Sequence, residues 1–175
     1  RVANLLRWTP GIGILLREAD EYLAFPHFAA VSGGVMLPAA GVPAPRALTA
    51  KRTVDLLLAT QSRPAFLGCM GLHEWAMVYD AGDVRHRAWP LRLGEAGTRA
   101  VVDAGPVRCS HFDAFRFFSR AARPLNQVQP GPDDRAAFEQ PGCLHANMDL
   151  YKHASKLYPW ISSELLADCF LLAHR

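Results

Sequence analysis

The stretch Cys143-Leu-His-Ala-Asn-Met-Asp-Leu-Tyr-Lys-His-Ala-Ser-Lys-Leu157 carries the clearest helical pattern in this sequence. Leu150, Ala154 and Leu157 recur at intervals of three and four residues, which places them on one face of a helix. A Pro-Gly pair precedes the stretch and Pro159 follows it, so both ends carry residues that break helices. We therefore predict a helix over residues 143–157.

Outward from this helix, short helical patterns alternate with loops rich in glycine and proline. Further helices are predicted over residues 18–24, 47–61 (with Thr49 as a possible N-cap), 71–79, 96–104, 133–139 and 162–175. Residues 2–8 and 12–17 are predicted to form a β-hairpin or a helix entering a tight turn, and the rest of 18–45 is expected to be irregular. An extended segment is predicted over 84–94, and a strand that runs into an aromatic turn is predicted over 106–118, where β-branched and aromatic residues are frequent.

These patterns predict an α+β fold, namely a mostly helical single domain with a small sheet or hairpin over residues 1–175. Half of the 175 residues are hydrophobic and a fifth are charged, which is typical of a folded domain. The chain begins with Arg1 and ends inside a predicted helix. We therefore expect it to be a portion of a longer protein, incomplete at both ends.

Charge and cysteine content restrict the class of protein. The net charge of +3 permits a nucleic-acid partner, but it does not by itself indicate one. The four cysteines form no CxxC pair, so we expect thiols in a reducing compartment and a cytoplasmic location. Because glycines and prolines interrupt the most apolar stretch, no membrane span is predicted.

Three clusters pair a cysteine with a histidine and a nearby carboxylate. The clusters are Cys69, His73 and Glu74; Cys109, His111 and Asp113; and Cys143, His145 and Asp149. These residue types bind transition metals and transfer protons. Each cluster lies near the end of a predicted element, where functional sites are often built.

Simple metal motifs do not account for the clusters. His73 and Glu74 begin an HExxH pattern, but Met77 stands where the second histidine is required. A site assembled in space from His73, His111 and His145 with one carboxylate stays open. The competing interpretation is that the clusters are buried thiols and hydrogen-bonded histidines.

The helix at 143–157 offers a polar stripe and a special N-terminus. His145 and Asp149 share a face with Lys152, so Asp149 could orient His145, or the stripe could be an ordinary solvated face. Cys143 begins the helix, where an anion could bind or a thiol pKa could be lowered. Asn147 lies nearby on the same helix.

Aromatic and cationic residues accompany the other two clusters. Asp113 beside three arginines, among them Arg116, suits an anionic ligand. Phe115 and Trp75 could stack on a planar group, although aromatic residues usually belong to the core. In an apolar pocket beside Trp75, the pKa of Glu74 would rise, as a general acid requires.

Three segments resemble a bacterial protein family. The motifs are GLHEWAMVY at 71–79, HFDAFRFF at 111–118 and QPGCLHANMDLYK at 140–152. They are similar to those of proteins commonly labelled 3-methyladenine DNA glycosylase, over most of the chain from about residue 50 onward. The resemblance implies a DNA-repair enzyme, a hydrolase that removes a base by cleaving its N-glycosidic bond, with DNA or a nucleobase-containing ligand as its partner.

The first hypothesis is therefore a nucleobase-directed enzyme. A second is a small-molecule enzyme, metal-dependent or not, that uses a pocket of His, Asp and Glu, and a third is a non-catalytic interaction domain. Candidate catalytic residues are His73, Glu74, His111, Asp113, His145 and Asp149, and candidate ligand-binding residues are Trp75, Phe115, Arg116, Cys143, Asn147 and Lys152. Arg85, Arg87 and Arg92 could contact phosphates. No cofactor is assigned from the sequence.

Overall fold

The structure is a computed structural model that describes residues 8–69, 71–82, 84 and 88–174. In this part of the chain it contains seven α-helices and two strands: α1 Ala44–Gln61, α2 Leu72–Val78, α3 Gly94–Ala104, α4 Phe112–Phe115, α5 Arg135–Phe138, α6 Leu144–Leu157, α7 Ser163–His174, β1 Ala29–Val31 and β2 Gly34–Met36. The predicted α+β class, mostly helical with a small antiparallel hairpin, is confirmed. None of the described helices has the length and apolar character needed to cross a membrane.

Helices predicted from periodicity lie close to the observed ones, but their starts differ. The segment predicted over 18–24 contains a short 3-10 helix, Asp20–Ala24. Helix α1 begins at Ala44, ahead of the predicted start, and the carbonyl of Pro43 accepts from the amides of Arg46 and Ala47. Thr49 is therefore not an N-cap, and its hydroxyl donates to the carbonyl of Pro45 inside the helix.

The chain forms two compact units. One comprises Arg1–Val54 and Asn147–Arg175, and the other comprises Asp55–Ala146. The boundaries fall inside α1 and α6, and not in linkers of the kind that separate independent domains. The single domain expected from the sequence stays a prediction.

The hairpin of the first unit lies in a region that the sequence predicted to be irregular. Strands β1 and β2 pair antiparallel, with Ala30 opposite Val35, and Leu16 adds a single bridge to Val35. A β-carbon on Gly34 would lie 2.0 Å from the carbonyl oxygen of Leu16, so this close approach requires glycine. For the hairpin or helix predicted from residues 2–8 and 12–17, residues 2–7 lie outside the described part of the chain, and 12–17 contribute the single bridge at Leu16.

The core of the second unit is built where α2 meets α3 and α4. Its buried residues are Ala76, Tyr79, Val102, Val107, Cys109, Ala114, Phe115, Phe118 and Ala122. Ala76 is fully buried, and the hydroxyl of Tyr79 donates to Asp103 Oδ1 at 2.8 Å, which joins the end of α2 to α3. This packing fixes α2 against α3.

The strand predicted over 106–118 is wrong. Residues 112–115 form α4, and the segment before it has no partner strand among the described residues. Its backbone is satisfied instead by the buried side chain of Asn126, which accepts from the Cys109 amide and donates to the Cys109 carbonyl. The described residues of the predicted extended segment, 84 and 88–94, likewise contain no strand.

Candidate metal centre

The N-terminal ends of α2, α4 and α6 bring three histidines together in the second unit. His73 and Glu74 stand in the first turn of α2, and His145 stands in the first turn of α6. His111 immediately precedes α4 and is 1% exposed. The ring centroid of His145 is 4.6 Å from that of His73 and 5.4 Å from that of His111. The histidines of all three sequence clusters therefore meet in one place.

His73, Glu74 and His145 form a donor cluster, in which both imidazoles approach one carboxylate oxygen. Glu74 Oε1 lies 3.2 Å from His73 Nε2 and 3.5 Å from His145 Nε2. Ligand atoms of these three residues all lie within 4.8 Å of one another. Two ligands bound at ~2.1 Å in a tetrahedral arrangement would be about 3.4 Å apart. The two distances between the carboxylate and the imidazoles are thus close to the spacing between ligands of a bound Zn²⁺.

The environment of His73 favours its neutral form, which is the form that binds metals. Burial is the main cause that lowers the pKa of His73, and the neighbouring His145 lowers it further, whereas Glu74 acts in the opposite direction. Cys69 Sγ lies 2.8 Å from His73 Nδ1. When Nδ1 carries the proton and donates it to this sulfur, Nε2 presents its lone pair towards Glu74.

A second acid lies in the cluster that the sequence did not single out. Glu139 Oε1 is 3.8 Å from His111 Nε2, and both side chains are almost fully buried. Arg63 holds this part of the chain, because its guanidinium donates to the carbonyls of Ala136 and Glu139. No spacing in the sequence relates residue 139 to residue 111, so the pair depends on tertiary folding.

Asp113, a predicted catalytic acid, is engaged by arginines. Its Oδ1 lies 2.7 Å from Arg135 Nη2 and 3.4 Å from Arg116 Nε. The guanidinium of Arg116 also lies over the ring of Phe117 at 4.6 Å. Phe115 is 8% exposed and packs in the core, as aromatic residues usually do, and is not presented for stacking on a ligand.

The remaining candidates on α6 belong to the other compact unit. Lys152 Nζ donates to Asp149 Oδ2 at 2.7 Å, an ion pair between residues three apart on the helix. Asn147 is half-buried in the same unit. A role for Asp149 in orienting His145 stays a prediction.

A small cavity lies next to His73 and three cysteines, and we call it the cavity on the sulfur side. It has a volume of about 190 Å³, and Cys69, His73, Cys109 and Cys143 are among its lining residues. Burial raises the pKa of Cys109 to about 12 and also raises the pKa of Cys143. The lowered pKa expected for Cys143 at a helix N-terminus is therefore wrong, because desolvation outweighs its backbone hydrogen bonds.

A larger cavity lies next to the carboxylate of Glu74. It has a volume of about 540 Å³, and it is lined by Glu74 and Trp75 of α2 together with residues 90–93 and Thr98. Glu74 is 60% exposed and belongs both to the donor cluster and to this cavity. Arg85 and Arg87, predicted to contact phosphates, lie outside the described residues.

Comparison with models of protein families, with curated proteins and with solved structures found no match to this chain.

Proposed function

We propose that this chain is a hydrolase whose divalent metal ion is bound by His73, Glu74 and His145. The observation that carries the proposal is the convergence of two imidazoles and one carboxylate within 4.8 Å. The contact with Cys69 and the lowered pKa of His73 support it, because both favour a neutral imidazole ligand.

The donor set suits a catalytic site better than a purely structural one. Two histidines and one glutamate are the protein ligands of several zinc hydrolases, in which a fourth position is open to water or substrate. Here Glu74 is exposed and lines the larger cavity, so an ion held by these residues would be reached from that cavity. A divalent ion held by His73, Glu74 and His145 would supply Lewis-acid chemistry, because it would lower the pKa of a bound water molecule to about 7 and polarise the bond to be cleaved.

The buried residues around the ligands have positioning roles in this proposal. His111 stacks on His145, and Glu139 lies next to His111. Both are nearly inaccessible to solvent and are thus suited to holding the His145 ring in place.

Metal titration and chelation test the proposal. We expect protein treated with a chelator to bind one Zn²⁺ per chain, and we expect hydrolysis of p-nitrophenyl ester substrates to disappear on chelation and return on adding Zn²⁺ or Mn²⁺. Dissociation constants above about 100 µM for both ions, which correspond to a binding free energy weaker than roughly 5 kcal/mol, would contradict the proposal.

The N-glycosylase activity implied by the family resemblance stays a prediction, and the same experiment separates it from the metal-dependent reaction. A metal-free glycosylase would release a base from alkylated DNA equally well with and without the chelator. Base release that requires the metal would instead place N-glycosidic bonds among the bonds that this hydrolase cleaves.

Substitution of Cys69 tests the hydrogen bond behind the proposed ligand His73. We expect Cys69→Ala to weaken Zn²⁺ binding about 10- to 100-fold, the usual cost of losing a hydrogen-bond partner behind a metal-binding histidine. Cys69→Ser, which keeps an acceptor for Nδ1–H, should retain most of the affinity. Equal affinities for Cys69→Ala and the wild type, measured by competition with a colorimetric chelator, would show that this contact does not support the ligand.

A further inference from the structure

The larger cavity has the size and lining of a site for a small organic molecule. Its volume of about 540 Å³ lies within the range of about 300–1,000 Å³ that is typical of ligand pockets. The small cavity on the sulfur side, at about 190 Å³, has room for only about six water molecules of 30 Å³ each. A substrate that reaches Glu74 therefore fits the larger cavity better.

Apolar side chains form most of the wall that the described residues contribute to this cavity. Trp75 and Val78 contribute from α2, and Leu91 and Leu93 contribute from the segment before α3. Trp75 is half-buried and packs against the core of the unit. Because the core supports its ring, Trp75 offers a planar surface at low cost in conformational entropy.

Among the described residues that line the cavity, Arg92 carries the cationic group. It is exposed, and none of the carboxylates in the described part of the chain forms an ion pair with it. An arginine guanidinium binds carboxylate and phosphate groups through paired hydrogen bonds. The hydroxyl of Thr98, which also lines the cavity, already donates to the carbonyl of Gly94. Arg92 is therefore the group best suited to bind an anion there.

We propose that the substrate is a small organic anion with a planar apolar body. The planar body packs on Trp75, the anionic group pairs with Arg92, and the bond to be cleaved faces Glu74. This inference rests on the proposed hydrolase function, since Glu74 lines the cavity and also belongs to the donor cluster. A bound divalent ion offsets the negative charge of Glu74, so anions should bind more tightly to the metal-loaded protein.

Three small probes separate the two parts of the proposed recognition. Benzoate carries both a ring and a charge, benzamide is its neutral isostere, and acetate carries the charge without the ring. We expect isothermal titration of the Zn²⁺-loaded protein to show benzamide and acetate each binding at least about tenfold more weakly than benzoate, since benzamide lacks the charge that pairs with Arg92 and acetate lacks the ring that packs on Trp75. Equal binding of benzoate and benzamide would overturn the inference.

Substitutions identify the residues responsible. Arg92→Gln should weaken benzoate about tenfold and leave benzamide unchanged, whereas Arg120→Gln should change neither affinity by more than about twofold. Arg120 is the matched control, because it is also exposed and lies outside both cavities. Trp75→Leu should weaken benzoate but not acetate. Equal effects of the two arginine substitutions on benzoate would overturn the inference.

Repeating the titrations on chelator-treated protein distinguishes this inference from the proposed function. Benzoate binding that depends on Arg92 in both forms, combined with hydrolysis that survives chelation, would reject the metal-dependent function while retaining the anion site. Metal-dependent hydrolysis without any effect of Arg92→Gln on benzoate would retain the function and reject the anion site.

Discussion

His145→Ala is expected to lower the affinity for Zn²⁺ by at least about 100-fold, because it removes one of three converging ligands, and loss of a mere supporting contact already costs 10- to 100-fold. His145 Nε2 lies 3.5 Å from Glu74 Oε1, close to the spacing of about 3.4 Å between two ligands of one tetrahedral ion. Competition with a colorimetric chelator measures the affinity, and circular dichroism verifies that the variant is folded.

Two further variants make this result decisive. Glu74→Gln removes the ligand charge from an exposed side chain and nearly preserves its shape, so it should reduce Zn²⁺ affinity without unfolding the protein. His174→Ala is the control, since His174 is exposed near the end of α7 and outside the cluster. Should His145→Ala and His174→Ala bind Zn²⁺ equally well, the metal assignment would be incorrect.

Asn126→Ala is expected to reduce the free energy of unfolding by about 3 kcal/mol, since it leaves several buried backbone groups without partners at about 1–3 kcal/mol each. Asn126 Oδ1 accepts from the Cys109 amide at 2.6 Å, and Nδ2 donates to the Cys109 carbonyl at 2.9 Å. Nδ2 also donates to the carbonyl of Val128. The substitution thus removes all three hydrogen bonds of a side chain that is 3% exposed.

Chemical denaturation of Asn126→Ala and of the neighbouring control Gln127→Ala measures this effect. Gln127 has an exposed side chain, and its contact with Val107 is made by its backbone amide, so its substitution should change stability by less than about 0.5 kcal/mol. A loss no larger for Asn126 than for Gln127 would mean that water replaces the lost hydrogen bonds.

Local periodicity was sufficient to predict the two helices that carry His73, Glu74 and His145. The predicted helices at 71–79 and 143–157 correspond to α2 and α6, because apolar residues at helical spacing have to share a buried face. The strand predicted over 106–118 failed for a physical reason. Val107, Cys109 and His111 are buried at alternate positions, as in a strand, but the side chain of Asn126 pairs with Cys109 in place of a neighbouring strand.

The sequence by itself determined the helical periodicity, the thiols and imidazoles near the ends of elements, and the mostly helical class, since these depend on residues close together along the chain. Tertiary structure alone decided that Glu74 meets His145, that Glu139 lies beside His111 and that Asp113 pairs with Arg135. Such contacts join residues far apart in sequence, and their geometry follows from how helices pack and not from any local pattern.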